Sequence, residues 1–228
     1  IGNVVVSPSE FMPRLFAENG RLLDSQGRIT LDTPEALRAL ENYRETYSYS
    51  DRTIYDFWKN ALEGFADGTA AMTVVFINYA SHILNSQMSR IAGKLGFAPV
   101  PGGKPLLGGG VIGITQSCTC PAAACKFLEW LYADLVAPVF TMLGGLSPCR
   151  SAYSNRDISE QYPWLSTARK SFPTAQRRSN STYYQNFSEL QLETILAAHV
   201  QQAVLGVCSP EEALKQAQED CNRYFQPW

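Results

Sequence analysis

Aromatic and polar side chains occur together at two places where predicted elements meet. Phe76, Asn78 and Tyr79 follow an apolar stretch and begin a predicted helix, and Tyr183 and Tyr184 precede the penultimate predicted helix. Aromatic faces that stack on sugar rings, with amides and charged groups around the hydroxyls, are a common way for proteins to hold carbohydrates. The same aromatic side chains could instead pack a core, which composition alone favours.

One glycine-rich run formally matches a nucleotide-binding pattern. Gly108-Gly-Gly110-Val-Ile-Gly113 fits G-x-G-x-x-G, but that mechanism needs a strand before the glycines and a helix N-terminus after them. Here β-branched residues follow, and we predict a strand where the helix should begin. Gly93-Lys94 and Gly103-Lys104 lack the Ser/Thr and the upstream glycine of a P-loop. We therefore expect no cofactor.

Residues for acid–base or nucleophilic catalysis are scarce. The two histidines, His82 and His199, both lie in predicted amphipathic helices, and no G-x-S-x-G nucleophile elbow is present. We therefore expect no catalytic residues, and a hydrolase is only a minor alternative.

The chain has six cysteines, which are Cys118, Cys120, Cys125, Cys149, Cys208 and Cys221. The first three are spaced C-x-C-x4-C without a nearby histidine, whereas zinc sites favour C-x2-C pairs, so we expect no metal site. Three disulfides are permitted by the even count, but a chain of this length does not need them. Small half-buried thiols in a reducing or anaerobic setting are the favoured interpretation.

Composition sets the broad class. The 228 residues are 45% hydrophobic and 18% charged, which is globular and argues against disorder. With 19 basic and 21 acidic residues the net charge is −2, so we expect no direct nucleic-acid contact by this portion. No apolar run approaches the roughly 20 residues of a membrane helix. Because the chain starts at Ile1 without a charged leader, we expect a removed targeting signal or a piece of a larger protein.

The periodicity predicts short strands alternating with helices, and hence an α/β fold in which helix predominates. The first helix is predicted to begin at a cap at Asp32. Further helices are predicted over 55–65, 79–88, 121–132, 187–205 and 209–225, and a short helix after 132 is predicted to end at Met142. Strands are predicted over 70–76, 95–100 and 111–115. The stretch up to Gly27 and the polar stretch 166–182 are predicted to be loops.

Several motifs, in order, resemble those of ABC-transporter extracellular solute-binding proteins, the group that includes maltose-binding protein. Phe65-Ala-Asp-Gly68-Thr-Ala-Ala-Met72 is similar to the family signature F-x-x-G-x-A-A-M. It is preceded by a turn over 19–27, a strand Ile29-Thr-Leu31 and a helix opening Thr33-Pro-Glu-Ala. Further motifs similar to those of the family begin at Gly96, Cys125, Gly144 and Gly206. The resemblance covers about residues 14–225.

The resemblance implies a type II periplasmic-binding-protein-like fold, represented mainly by its helix-rich C-terminal lobe. Residues 1–105 would be the first pass of that lobe, and 150–228 the second. Residues 106–149 would be a crossover segment that belongs to the N-terminal lobe and the hinge. Family members run well over 300 residues, so most of the N-terminal lobe is expected to be missing.

The resemblance also implies the candidate site. The family's ligand aromatic, often Trp, falls near Phe76 to Asn78 here, so stacking would depend on Phe76 or Tyr79. Gly109 and Gly110 match a stretch that approaches ligand through the backbone. Arg150 matches a polar contact after the crossover, and Tyr183 or Tyr184 an aromatic before the last helix pair.

The implied function is binding of a small solute, a sugar or oligosaccharide, in an interlobe cleft for delivery to ABC permease subunits. The protein would be extracytoplasmic, as a membrane-tethered lipoprotein or in the periplasm, and the shortened chain could associate with itself. The alternative is the effector-sensing domain of a cytoplasmic transcriptional regulator, which the cysteines favour because exported proteins usually avoid free thiols.

Overall fold

The computed structural model describes residues 8–50, 58–154, 156–177 and 179–228. The chain divides into two compact units, each built from discontinuous segments. The first unit comprises Ile1–Asn60, Val100–Leu107 and Thr174–Trp228, and the second comprises Ala61–Pro99 and Gly108–Pro173. The division into 1–105, 106–149 and 150–228 that the resemblance implies stays a prediction.

The first unit contains four long helices and one short strand pair. The helices are α1 (Pro8–Ala17), α2 (Pro34–Tyr47), α10 (Glu189–Val204) and α11 (Pro210–Tyr224), and the strands are β1 (Leu106–Leu107) and β2 (Gln176–Arg177). The two strands run parallel, with Leu106 opposite Gln176.

Helix starts in the first unit follow the capping signals of the sequence. Ser209 Oγ accepts a hydrogen bond from the Glu212 N–H at 3.1 Å, as its S-P-E-E sequence predicts. At the start of α2 the N-cap is Thr33, whose Oγ1 accepts from the Ala36 N–H at 3.2 Å. The prediction that Asp32 caps this helix was wrong by one residue, because Pro34 already occupies the first helical position.

The core of the first unit lies where these helices pack together. Leu192, Leu196 and Val200 form a fully buried stripe along α10 at i, i+4 spacing. Phe11 and Leu15 of α1 belong to the same core. The opening stretch up to Gly27 therefore contains a buried helix, and the prediction that it is all loop was wrong. The first turn of α1 carries Pro8, which a helix N-terminus tolerates.

The second unit is also helical. Its helices are most of α3 (Trp58–Ala66), then α4 (Ala80–Leu84), α5 (Pro121–Leu131), α6 (Val136–Met142), α7 (Ser151–Ser154), α8 (Arg156–Gln161) and α9 (Pro163–Ser171). A small core is formed by Ala137, Tyr153, Trp164 and Leu165, among others. The predicted loop over 166–182 was wrong in its first part, because α9 buries Leu165 and Ala168 at i, i+3 spacing. The predicted beginning of α3 at Tyr55 lies outside the described residues.

The three predicted strands 70–76, 95–100 and 111–115 are not formed. Met72 and Val111, in two of these stretches, are 86% and 98% exposed, although a buried strand was predicted at the first. Their composition suits a strand, but a strand needs a hydrogen-bonded neighbour, and the described residues supply none to them. Within the described ranges, none of the helices combines the length and apolarity that crossing a membrane requires.

Candidate functional site

Five of the predicted site residues in the second unit lie at the end of the segment 72–76, just after it, or in the glycine run. Phe76 is 39% exposed and lies just before a short 3-10 helix, Ile77–Tyr79, that leads into α4. Its ring lies against the glycine run, because a Cβ placed on Gly108 would be 3.2 Å from Phe76 Cε1. The glycine run and Phe76 are therefore neighbours, as a shared site would require.

The backbone of the glycine run is accessible. A Cβ placed on Gly109 or Gly110 would meet no atom within 4 Å, so open space surrounds both residues. No helix begins until Pro121, so the geometry that a dinucleotide loop needs does not follow these glycines. The run can offer N–H and C=O groups to a ligand without steric hindrance.

Two polar residues of the predicted site are exposed. Asn78 is exposed within the 3-10 turn, and its carbonyl accepts a hydrogen bond from Ser81 Oγ at 3.4 Å. Arg150 is exposed just before α7, where its carbonyl accepts from the Tyr153 N–H at 3.0 Å. Its guanidinium has no ion-pair partner among the described residues. Both side chains are free to reach hydroxyl groups of a ligand.

The two tyrosines of the first unit have different environments. Tyr184 is 8% exposed in the main core, and its Oη accepts a hydrogen bond from the Ile29 N–H at 2.9 Å. Tyr183 is 36% exposed and packs edge-on against Tyr184, with ring centroids 5.0 Å apart. Its N–H donates to Ser181 Oγ at 3.1 Å, which fixes its backbone. Tyr183 can present its ring to a ligand, whereas the buried ring of Tyr184 packs against the ring of Tyr183 and supports it.

A charged cluster that sequence reasoning missed joins α10 to α11. His199 Nε2 lies 2.8 Å from Asp220 Oδ2, and Arg223 also pairs with Asp220. The hydrogen bond from His199 is the main cause of a lowered Asp220 pKa, and Arg223 adds to it. The spacing of Asp220 and Arg223 on one helix face is a sequence signal, but their pairing with His199 depends on helix packing.

Two surface depressions lie in the first unit, and neither contains a predicted site residue. One, of about 520 Å³, is lined by Glu41, Arg44, Glu45, Ser209, Pro210 and Glu211. The other, of about 300 Å³, surrounds the His199–Asp220 pair. Both are lined mainly by charged and polar residues and lack a Phe, Tyr or Trp ring, so they do not resemble a sugar site. The described residues also contain no group of three or more His, Cys, Asp or Glu side chains placed to hold a metal ion.

The architecture is that of type II periplasmic binding proteins, which solved structures of this class match over nearly the whole chain. Maltose-bound MalE3 of T. maritima superposes with a TM-score of 0.79 at 23% identity, over 94% of this chain and 56% of the other. A ribitol complex from Agrobacterium radiobacter K84 gives a TM-score of 0.72 at 23% identity, over 96% and 56%. A tagatose complex from Thermotoga lettingae TMO gives 0.72 at 25% identity, over 95% and 56%.

The sequence model of the bacterial extracellular solute-binding proteins matches residues 7–167. The chain belongs to this family. It spans little more than half the length of the solved relatives that it matches.

Proposed function

We propose that this chain binds a sugar or polyol as part of a receptor that delivers the solute to an ABC permease. The observation that carries the proposal is the family match over residues 7–167, combined with the shared fold. Solved proteins of this fold hold maltose, ribitol, tagatose and mannitol, all of which are neutral and rich in hydroxyl groups. The exposed aromatic rings and hydrogen-bonding groups of this chain suit the same ligand chemistry.

Each predicted site residue has a role in this proposal. Within the second unit, Phe76 and Tyr79 offer rings that can stack on the apolar face of a solute. Within the first unit, Tyr183 offers a ring of the same kind, and Tyr184 positions it by holding it edge-on. Asn78 and Arg150 hydrogen-bond to hydroxyls. Gly109 and Gly110 approach the ligand with their backbone, which the open space around them permits.

We propose that the protein acts by binding alone and does no covalent chemistry. Its family is described as extracellular and solute-binding, which supports a role outside the cytoplasm, either in the periplasm or as a membrane-tethered lipoprotein. Binding followed by release to a permease requires affinity but no nucleophile, in keeping with a sequence poor in histidine.

The six free thiols favour the alternative of a cytoplasmic, effector-sensing domain. Burial raises the pKa of Cys221 to about 12, so this thiol is unreactive in the folded chain. A thiol titration of the unfolded protein, isolated without reductant, distinguishes the two locations. Six reactive thiols would favour the cytoplasm, and fewer than six would favour an oxidising compartment.

A thermal-shift screen of the purified chain tests the ligand class. Maltose, mannitol, ribitol and tagatose are compared with free alanine, a small polar solute without the hydroxyl pattern. A ligand present at about 100 times its dissociation constant stabilises the folded state by about 2.7 kcal/mol, which raises the melting temperature measurably. If no sugar or polyol raises it more than alanine does, the ligand class is wrong.

A further inference from the structure

Residues 183–185 and 226–228 of the first unit form a short antiparallel ribbon. Its register places Tyr183 directly opposite Trp228, and the Trp228 N–H donates a hydrogen bond to the Tyr183 carbonyl at 3.2 Å. A second backbone hydrogen bond, of 2.9 Å, joins the two stretches two residues further along. The ribbon therefore fixes which side chains are neighbours on each of its faces.

The two faces of the ribbon have different surroundings. On one face, Tyr184 packs into the core of the first unit. Because side chains alternate between the faces of an extended chain, Tyr183 and Gln185 lie on the other face, and Trp228 and Gln226 lie opposite them. All four are exposed, and Trp228 is 84% exposed. The outer face of the ribbon thus consists of two aromatic rings and two amides.

A charged pair lies beside the Tyr183 end of this outer face. A Cβ placed on Gly27 would be 3.6 Å from Tyr183 Cβ, so the turn that contains Gly27 packs against Tyr183. In the same turn, Arg28 Nε pairs with Asp24 Oδ2 at 2.8 Å, and the Arg28 side chain stays 51% exposed. Ionised groups make the stronger hydrogen bonds. The turn therefore adds polar groups next to the ring of Tyr183.

We propose that Trp228 is a second stacking residue beside Tyr183, and that the outer face of the ribbon takes two linked sugar rings. The Cβ atoms of directly opposed residues lie about 5 Å apart, so the two side chains can reach adjacent rings of one ligand. Each aromatic ring offers a flat apolar surface to one sugar ring.

The amides of the outer face suit the hydroxyls of such a ligand. Gln185 Nε2 donates to the Pro227 carbonyl at 3.1 Å, which holds the amide in place beside the rings. The Gln226 amide lies across from it and can both donate and accept. The four outward side chains are uncharged, in keeping with a neutral ligand. This inference rests on the proposed function and narrows it, because it favours a disaccharide over an open-chain polyol.

Isothermal titration calorimetry of the purified chain with maltose and with mannitol tests the role of Trp228. Maltose has two linked rings, whereas mannitol is an open chain without a ring. Trp228→Ala should weaken maltose binding roughly tenfold and mannitol binding by less than about twofold, because only the second ring of maltose reaches Trp228. Trp228→Tyr keeps an aromatic ring and should restore most of the affinity for maltose.

Tyr49→Ala is the matched control, because Tyr49 is 83% exposed and lies in the first unit outside the ribbon. This control should bind both ligands like the wild type, and circular dichroism should show unchanged helix content in all variants. Unchanged maltose binding in Trp228→Ala, an equal loss for both ligands, or a wild type that binds a polyol but not maltose would overturn this inference alone. A wild type that binds none of the four ligands of the thermal-shift screen would overturn the proposed function, and this inference with it.

Discussion

Tyr183 and Tyr184 are adjacent in sequence, yet the structure gives them opposite environments. The ring of Tyr184 fills the core and its hydroxyl accepts the Ile29 N–H, whereas Tyr183 is more than one third exposed. In the sequence the two residues look alike, because both are aromatic and both precede the same helix. Burial separates them, and it depends on residues distant in the chain.

These environments predict different effects on stability. Tyr184→Phe leaves the Ile29 N–H without its acceptor and should cost about 1–3 kcal/mol, whereas Tyr184→Ala also leaves a cavity and should cost about 3–5 kcal/mol. Tyr183→Ala loses one edge-on ring contact and should cost about 1 kcal/mol or less. Urea unfolding followed by far-UV circular dichroism measures all three. A Tyr183→Ala variant less stable than Tyr184→Ala would contradict these assignments.

The His199–Asp220 pair predicts a dependence of stability on acid. The hydrogen bond with His199 lowers the pKa of Asp220 in the folded state below its ordinary value of 3.8. The pair therefore contributes its full stability above that value, and the contribution is lost as the pH falls through the lowered folded pKa.

The unfolding free energy of the Asp220→Asn variant should accordingly fall less steeply with decreasing pH, below about pH 4, than that of the wild type. Urea unfolding at a series of acidic pH values measures the two slopes. Identical slopes would show that this pair does not contribute to acid sensitivity.

At the scale of elements, the cap of α11 offers a direct test of how the sequence specifies a helix. Ser209→Ala removes the acceptor of the Glu212 N–H and should lower the unfolding free energy by about 1 kcal/mol. Ser25→Ala, at an exposed turn position of the same unit, is the control and should change it by less than about 0.5 kcal/mol. Equal effects of the two substitutions would contradict the capping role.

The helices of this chain were largely predictable, because their signals are local. The S-P-E-E sequence and the apolar period of α10 specify helix without reference to other segments. The strands 70–76 and 111–115 were predicted from equally good local patterns and did not form. A strand depends on a hydrogen-bonded neighbour elsewhere in the fold, so the pattern of one segment shows only its capacity to pair. The aromatic rings of the candidate site stay a prediction from the sequence, and their degree of burial could be known only from the structure.

At the scale of the whole molecule, the order of weak motifs was more informative than any one of them. The resemblance over about residues 14–225 predicted the type II fold, and the family match over 7–167 confirmed the family. The same comparison shows how the length of the chain relates to the family, because the chain spans 56% of the length of the maltose-bound relative. The exposed apolar residues Met72 and Val111 of the second unit lie within the family match over residues 7–167.

Isothermal titration calorimetry with the best sugar or polyol of the thermal-shift screen tests the central claim of solute binding. We predict saturable binding in the wild type. Phe76→Ala and Tyr183→Ala should each weaken it roughly tenfold, or about 1.4 kcal/mol, through lost stacking. Tyr49→Ala, at a tyrosine that is 83% exposed and outside the candidate site, should bind like the wild type. Absence of saturable heat with every sugar and polyol, or equal affinity in all four proteins, would contradict the account.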